Sequence, residues 1–505
     1  MGNDVLYWYE ASPDRGSHAK TQVEMSPALA NVICACGICG LFYLDRDRSE
    51  RTSYALWIPG LWIGIIGSRT ISLWFGFEGG GNLGLDGSPV DAAVFGVLIA
   101  LGMLVLAGRA SQTRTLLAAN KPIVIYFLFC LVSIAWSPHP DVSLKRWIKA
   151  IGDLIMALII VTDRAPLAAF SRLVSRLGMV LFPTSVLFIY YYGELGRISS
   201  DEGEPMNIGV ATTKNLLGLT VLLITLAVLW NVRRLYIHKD EPNRGRRLVA
   251  QGTILAFGLA LLHLANCSTC KACFLLGVFL VFSLSSEAFR RQPARVHTLC
   301  LGMIIAGGMF FFLGGRGAIA NALGRQASFS GRTEIWSAVI SSTSNPILGD
   351  GFESFWNSEG ADKARQKLVN EGFDPHHMAQ LQEAHNGYIE IYLQTGLVGL
   401  CLISFVLFSG YKRAFAAYRL NPELGSLFIA YVAQATMYGV TEAGFRTMSA
   451  NQIFLLTMIV SSTAVTAGLI DPEGSFAPPE VAELTTPDQN KICLGPKYSD
   501  SRSGS

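Results

Sequence analysis

Runs of about 17 to 24 predominantly apolar residues recur along this chain, each long enough to cross a hydrocarbon core of roughly 30 Å as a helix. About 13 of them can be read: near 27–44, 54–76, 89–107, 121–137, 148–162, 177–192, 208–230, 249–265, 271–286, 297–314, 388–409, 425–443 and 450–469. Strands of a membrane barrel would alternate polar and apolar residues over about 10 positions, and these runs do not. With 51% hydrophobic and 15% charged residues in 505, the chain is too apolar for a soluble protein of this size. The expected fold class is an all-α polytopic membrane protein of about 12–13 transmembrane helices.

The net charge of +3 gives no reason to expect a nucleic-acid partner, but the placement of the charges orients the chain. Alternate loops hold Arg46, Arg48 and Arg51, then Arg109, Arg114 and Lys121, then Arg164, Arg172 and Arg176. The same side continues with Arg233, Arg234, Lys239, Arg244, Arg246 and Arg247, then Arg290, Arg291 and Arg295, then Lys412, Arg413 and Arg419. By the positive-inside rule this side is cytoplasmic, which puts the long polar stretch 315–387 and the N-terminus outside.

The expected organisation is a polar N-terminal segment 1–26, membrane helices over 27–314, a large extracytoplasmic loop 315–387, C-terminal membrane helices over 388–470, and a disordered tail 471–505 rich in Pro, Glu and Ser. Met1 to Glu24 lacks a basic start followed by a short apolar core, so the first span is expected to act as its own insertion signal. A polar loop of this length between membrane spans is where chemistry is expected to reside. Of ten cysteines, most sit in apolar runs, where a small polarizable side chain packs well. Cys267, Cys270 and Cys273 have Cys-x2-Cys-x2-Cys spacing, which a metal cluster would use. With no fourth ligand evident, close helix packing is the simpler reading.

Several cations stay on the outer side against the rule: Arg69, Lys145, Arg146, Lys149, Arg197, Arg332 and Arg446. Any one of them fits an interfacial side chain snorkelling to headgroups. Together they would ring an outer opening with charge suited to a pyrophosphate, since guanidinium groups offer planar paired donors to phosphate oxygens. Thr212-Thr213-Lys214-Asn215 opens an apolar helix, where free N–H groups favour an anion; Thr212 acting only as a helix cap is the alternative. His385, at the end of the polar stretch, is the candidate acid–base group, with Glu334, Glu353, Glu383 and Glu390 as auxiliary carboxylates. His376, His377 and His385 do not supply the open coordination of a catalytic metal, so no metal and no cofactor is expected.

These residues fall into recognisable segments: Ser68-Arg69-x-x-Ser72-x-Trp74; Trp136-Ser137-x-x-Pro140 with basic residues to 146; Gly196-Arg197 followed by Lys214-Asn215-x-x-Gly218; Gly331-Arg332-Thr333-x-x-Trp336; and His385-Asn386 with Gly396 and Gly399. The layout, from about 54 to 470, resembles the O-antigen ligase and O-antigen polymerase superfamily, most closely its exopolysaccharide-polymerase branch. The resemblance implies a GT-C-type helical bundle in a bacterial inner membrane, with the large loop periplasmic. It implies a glycosyltransferase that polymerises polyprenyl-diphosphate-linked repeat units into exopolysaccharide or O-antigen by metal-independent inverting transfer. Arg197 and Arg332 match the family's phosphate-binding arginines and His385 its loop histidine. Lys214 is preceded by Thr213 where relatives often have His. Arg69, Arg146, Lys214, Asn215 and Asn386 are expected to help bind substrate. The implied partners are the lipid-linked oligosaccharide, a glycan acceptor, membrane lipids and a chain-length-regulating copolymerase. Ligation to a lipid A-core acceptor is the alternative within the family. Transport of the lipid-linked glycan is the alternative outside it, although a transporter would need polar residues through both leaflets. A non-catalytic scaffold would not need the arginine–histidine set.

Overall fold

The computed structural model describes residues 26–47, 51–77, 88–199, 203, 205–312 and 332–470. The expected N-terminal segment up to residue 25, the start of the outer loop at 315–331 including Gly331, and the tail from 471 lie outside the described residues. The chain is an all-α polytopic membrane protein, and every apolar run read from the sequence falls on a helix. Among the described residues, six helices are long and apolar enough to cross a membrane singly. They are Pro27–Leu44, Pro89–Ala107, Pro166–Tyr191, Lys214–Ile237, Arg244–Leu264 and Gly387–Leu420. Ala110–Ala119 and Lys121–Trp136 form a further pair bent by 88°, and Tyr54–Ile66, Ser268–Leu284 and Ala450–Thr466 are shorter apolar helices. The run at 54–76 is not one continuous helix: it breaks after Ile66 and resumes over Ile71–Phe75.

Packing follows from which faces are apolar. Gly387–Leu420 lies along Pro422–Thr441, Ala450–Thr466 and Lys121–Val132, while Lys214–Ile237 lies along Arg244–Leu264, Pro166–Tyr191 and Ser268–Leu284. Trp62, Trp230, Tyr418, Tyr431 and Phe182 are fully buried between them. Their polar atoms find partners, as buried groups must: Tyr431 donates to the Leu223 carbonyl at 2.6 Å, Tyr418 to that of Leu284 at 2.6 Å, and Trp62 Nε1 to buried Asp153 at 2.9 Å.

The charged ends of the bundle are segregated. Arg234 and Arg247 pair with Glu241, and Arg247 and Arg172 with Asp47, at the C-terminal end of Lys214–Ile237. His238 at that end meets Glu423, the start of Pro422–Thr441, at 3.0 Å. The opposite ends of these two helices carry Asn215 and Thr441, roughly 36 Å and 30 Å away at 1.5 Å per residue over 24 and 20 residues. The arginine-rich loops and the Arg332–His385 region therefore lie at opposite ends of the bundle.

The described part of the polar stretch, 332–386, is folded rather than open. Helices Arg332–Ser341, Glu359–Asn370 and Pro375–Ala379 and a turn at Phe355–Asn357 enclose a second small core. It comprises Ile335, Ala338, Val339, Phe355, Trp356, Ala361, Ala364, Leu368, Met378, Ala384 and Leu393. The helices approach closely because alanines line the contact. Elsewhere, Arg197–Ser199 (β1) pairs antiparallel with Pro205–Asn207 (β2), and this hairpin leads toward the start of Lys214–Ile237.

Candidate active site

Three distant stretches of chain meet on one carboxylate, Glu442. Arg332 Nη2 lies 3.2 Å from Glu442 Oε1, and Arg332 Nη1 donates to the Thr441 carbonyl at 2.5 Å. Asn215 Nδ2 lies 3.4 Å from each Glu442 oxygen. His385 Nδ1 lies 3.6 Å from Glu442 Oε2 and 2.8 Å from Glu383 Oε1. Arg446 Nη1 closes the other side of Glu383 at 3.4 Å. Glu442 is buried, whereas His385 keeps 29% of its side chain exposed, so a ligand approaching from solvent reaches the imidazole first.

Local geometry explains how the sequence builds this. Arg332 and Trp336 are one turn apart and share a helix face. Trp336 Nε1 donates to the Ala384 carbonyl at 2.7 Å, so the same helix presents Arg332 and pins the residue before His385. Asn386 caps the next helix, accepting from Tyr388 and Ile389 N–H groups while its amide donates to the Val440 carbonyl at 2.9 Å. His385 between these anchors has φ +50°, a left-handed conformation rare for a residue with a side chain and concentrated at functional sites. Glu353 (+53°) and Met448 (+60°) border the same region with the same strain. The segment following Glu442 is tied down by carboxylates: Thr447 N donates to Glu353 at 3.0 Å and Met448 N to Asp153 at 2.8 Å.

The two glycines after His385-Asn386 act on the backbone. Gly396 has φ +62° and ψ −162° within Gly387–Leu420, a conformation open essentially only to glycine. The break admits the 346–348 segment: Leu397 N donates to the Pro346 carbonyl at 3.0 Å and Val398 N to that of Ile347 at 3.2 Å. A Cβ at Gly396 would meet the Ile347 carbonyl at 2.2 Å. The folded 332–384 stretch is thus stitched to Gly387–Leu420 about three turns beyond His385.

The electrostatics centre on His385. Burial works against its charge, but the contacts from Glu383 and Glu442 outweigh both that and the neighbouring Arg332, and its pKa is raised to about 9. The approach of Glu383 to Nδ1 is an ion-pair contact rather than an in-line hydrogen bond. Burial would raise the Glu383 carboxyl, yet His385 and Arg446 hold it below the ordinary value. One ligand atom from each of Glu383, His385 and Glu442 lies within 4.8 Å of the others, a set that a metal ion would fit by distance. Its carboxylates already face the guanidinium groups of Arg332 and Arg446, which favours charge balance by arginine.

The remaining expected residues take differing roles, Arg197 and Arg69 at the hairpin among them. Arg197 is exposed on β1. Arg69 braces the hairpin from behind, donating to the carbonyls of Leu195 and Ala211 and stacking 5.5 Å from the Trp74 ring. Arg146 donates to the Glu353 carbonyl. Lys214 is the first residue of its helix; the cap is Thr213, accepting from Leu216 N at 3.1 Å, rather than Thr212. Trp136 and Ser137 hold the outer domain, donating to the Leu348 carbonyl at 3.3 Å and bonding Ser354 at 2.5 Å. Glu390 is buried beneath the loop on Trp356 Nε1 and Ala384 N. Glu334 is exposed and bonded to Thr333. Glu442 was not anticipated; the signal for it was an acidic residue beside the outer end of an apolar run, four positions before Arg446.

A profile of the O-antigen ligase family matches residues 208–404, which contain Asn215, Arg332, His385, Asn386 and both glycines. The chain is also 24% identical over 320 residues, 61% of its length and 68% of the relative's, to the exopolysaccharide production protein ExoQ of Rhizobium meliloti (strain 1021). Both similarities support the O-antigen ligase and polymerase superfamily, on its exopolysaccharide side, as what this chain resembles. The chain is a polytopic membrane protein, and the similarities support a membrane enzyme of ligase or polymerase type.

Proposed function

We propose that this protein is a GT-C-type glycosyltransferase of the bacterial inner membrane. It polymerises polyprenyl-diphosphate-linked repeat units into exopolysaccharide or O-antigen at the periplasmic face, by metal-independent inverting transfer. The observation that carries the reading is the convergence of Arg332, Asn215 and His385 on Glu442, at the end of the bundle opposite the arginine-rich loops. As the glycosidic bond to the diphosphate breaks, negative charge builds on the leaving phosphate oxygen. Arg332, with Arg197 from the hairpin, stabilises that charge more in the transition state than in the ground state. Lys214 and the first N–H groups of its helix add to the same field.

The acceptor hydroxyl attacks from the opposite face and must lose its proton to a base within about 3 Å. His385 serves this step through Nε2, because Glu383 occupies the Nδ1 side and fixes the ring as an orienting carboxylate does in hydrolase triads. With its pKa raised to about 9, the imidazole is mostly protonated near neutral pH, so the base is its neutral minority.

The ligase description of the matching family favours a second reading, transfer of the finished glycan to a different lipid acceptor. Purified protein in detergent, given lipid-diphosphate oligosaccharide alone, should yield a ladder of longer chains. Failure to extend this substrate, together with transfer once a lipid A-core acceptor is added, would establish the second reading instead. A copolymerase that sets chain length would then alter the length of the ladder without being needed for its formation.

A further inference from the structure

We propose that Cys267 and Cys270 form a dithiol–disulfide pair whose redox state sets the alignment of Asn215 and Glu442. Cys267 is the N-cap of Ser268–Leu284, with φ −89° and ψ 107°, and its sulfur accepts from Cys270 N at 3.4 Å. The two thiols are also in side-chain contact with each other. Both press on the same glycine: a Cβ at Gly218 would lie 2.9 Å from Cys267 Cβ and 2.9 Å from Cys270 Sγ. All three cysteines of the run are free thiols in the structure. Cys267 is 4% exposed and the other two are fully buried.

The geometry selects one pair. Cys270 and Cys273 both lie within regular helix, where residues three apart cannot close a disulfide without distorting the backbone. Cys267 has non-helical dihedrals and can turn its sulfur onto Cys270. Among the described residues, the group with converging ligand atoms is Glu383, His385 and Glu442, so the Cys-x2-Cys-x2-Cys run does not form a metal cage. The pair touches both elements that build the site. Gly218 is one turn beyond Asn215, and Thr269, between the two cysteines, shares a hydrogen bond of 3.0 Å with Thr441, the neighbour of Glu442.

The chemistry is thiol–disulfide exchange with a small disulfide such as oxidised glutathione. The Cys267 thiolate attacks it and displaces one glutathione thiolate. Cys270, losing its proton, then attacks the mixed disulfide and releases the second. One S–S bond is broken and one formed, and the two electrons pass to glutathione. Closure draws the sulfurs to about 2.05 Å, tightening the first turn of Ser268–Leu284 and moving Thr269 against Thr441. The pair lies at the end of the bundle assigned to the oxidising compartment, where disulfides persist.

The test uses full-length protein in detergent, held in dithiothreitol or in oxidised glutathione, alkylated with N-ethylmaleimide and digested with trypsin. The peptide ending at Lys271 contains Cys267 and Cys270 but not Cys273. After oxidation it should be lighter by two hydrogens and unalkylated, and dithiothreitol should reverse this. Alkylation of both cysteines after oxidation would overturn the pair. The effect on the site rests on the proposed transferase reading: oxidised protein should extend chains roughly tenfold more slowly, since small misplacements of positioning groups cost up to about 10²-fold. Cys267→Ser, which keeps a capping oxygen and removes the attacking thiol, should match reduced wild type and be indifferent to oxidant, whereas Cys270→Ala should stop at a glutathione mixed disulfide on Cys267. Mapped disulfide with unchanged extension would refute control of the site. No extension even in dithiothreitol would count against the transferase reading, leaving the mapped pair intact.

Discussion

The charge on His385 makes the general-base role testable by pH, because base and cation roles predict slopes of opposite sign. With a pKa of about 9, the imidazole is neutral in about 1% of molecules at pH 7 and about half at pH 9. If the neutral ring removes the acceptor proton, kcat/KM should climb by roughly 50-fold over that interval, and it reports the free enzyme's ionisation. Glu383→Gln removes the nearer of the two carboxylates that hold the proton on the ring, 2.8 Å from Nδ1. Its midpoint should therefore fall toward the ordinary value of about 6.5, flattening the climb between pH 7 and 9, with a lower plateau because the ring is no longer oriented. The assay is initial-rate chain extension with lipid-diphosphate oligosaccharide in mixed buffers of constant ionic strength. Retention of folded protein across the range is checked by size-exclusion profile. A rate that is flat, or that falls as pH rises through 9, would refute the base assignment and make His385 a cationic ligand of the diphosphate.

Arg332→Ala and Arg197→Ala should each abolish most activity without loss of expression or insertion. Arg332→Lys should fail as well, since an ammonium cannot reproduce paired phosphate contacts; wild-type product length in a complemented strain would contradict this. Turnover should persist in excess EDTA, whereas loss restored by Mg²⁺ or Mn²⁺ would place an ion on Glu383, His385 and Glu442. A cysteine at exposed Glu359 in a cysteine-free background should react with an impermeant maleimide in intact spheroplasts, and one at Arg244 should react only after lysis. Gly396→Ala, forced into a glycine-only conformation against the Ile347 carbonyl, should cost about 1 to 3 kcal/mol, read as a lowered detergent-melting midpoint.

The membrane helices were legible because hydropathy is a local property: each apolar run carries its own evidence. Arg332 and His385 were legible because a cation kept outside and a histidine closing a polar stretch are both locally improbable. Glu442 was not, because its meaning lies in partners far away in sequence, Arg332 being 110 residues distant. A carboxylate at a helix end reads by itself as a solvated group. Gly396 shows the same limit: its spacing from His385 was visible, but the need for it comes from the Pro346–Leu348 backbone inserting into the helix. The 332–384 stretch reads as loop because its core residues are scattered through polar sequence, and four of the eleven, Ala338, Ala361, Ala364 and Ala384, carry little hydropathic signal.

On the proposed transferase reading, the charge pattern of the site bears on how a donor enters it. Arg332, Arg446 and a protonated His385 face Glu442, Glu383 and Glu353, so cations and carboxylates balance and none of the positive groups is left unpaired in a half-buried setting, which would be costly. A diphosphate arriving at Arg332 has to compete with Glu442 for the same guanidinium. That competition weakens ground-state binding, but it does not weaken stabilisation of the fuller charge that develops on the leaving oxygen. Glu442 also touches Asn215 and His385, so displacing it from Arg332 moves a negative charge relative to the ring. Donor binding and the readiness of His385 to release its proton are then linked through one side chain, with Asn215, Arg332 and His385 responding together when the donor arrives.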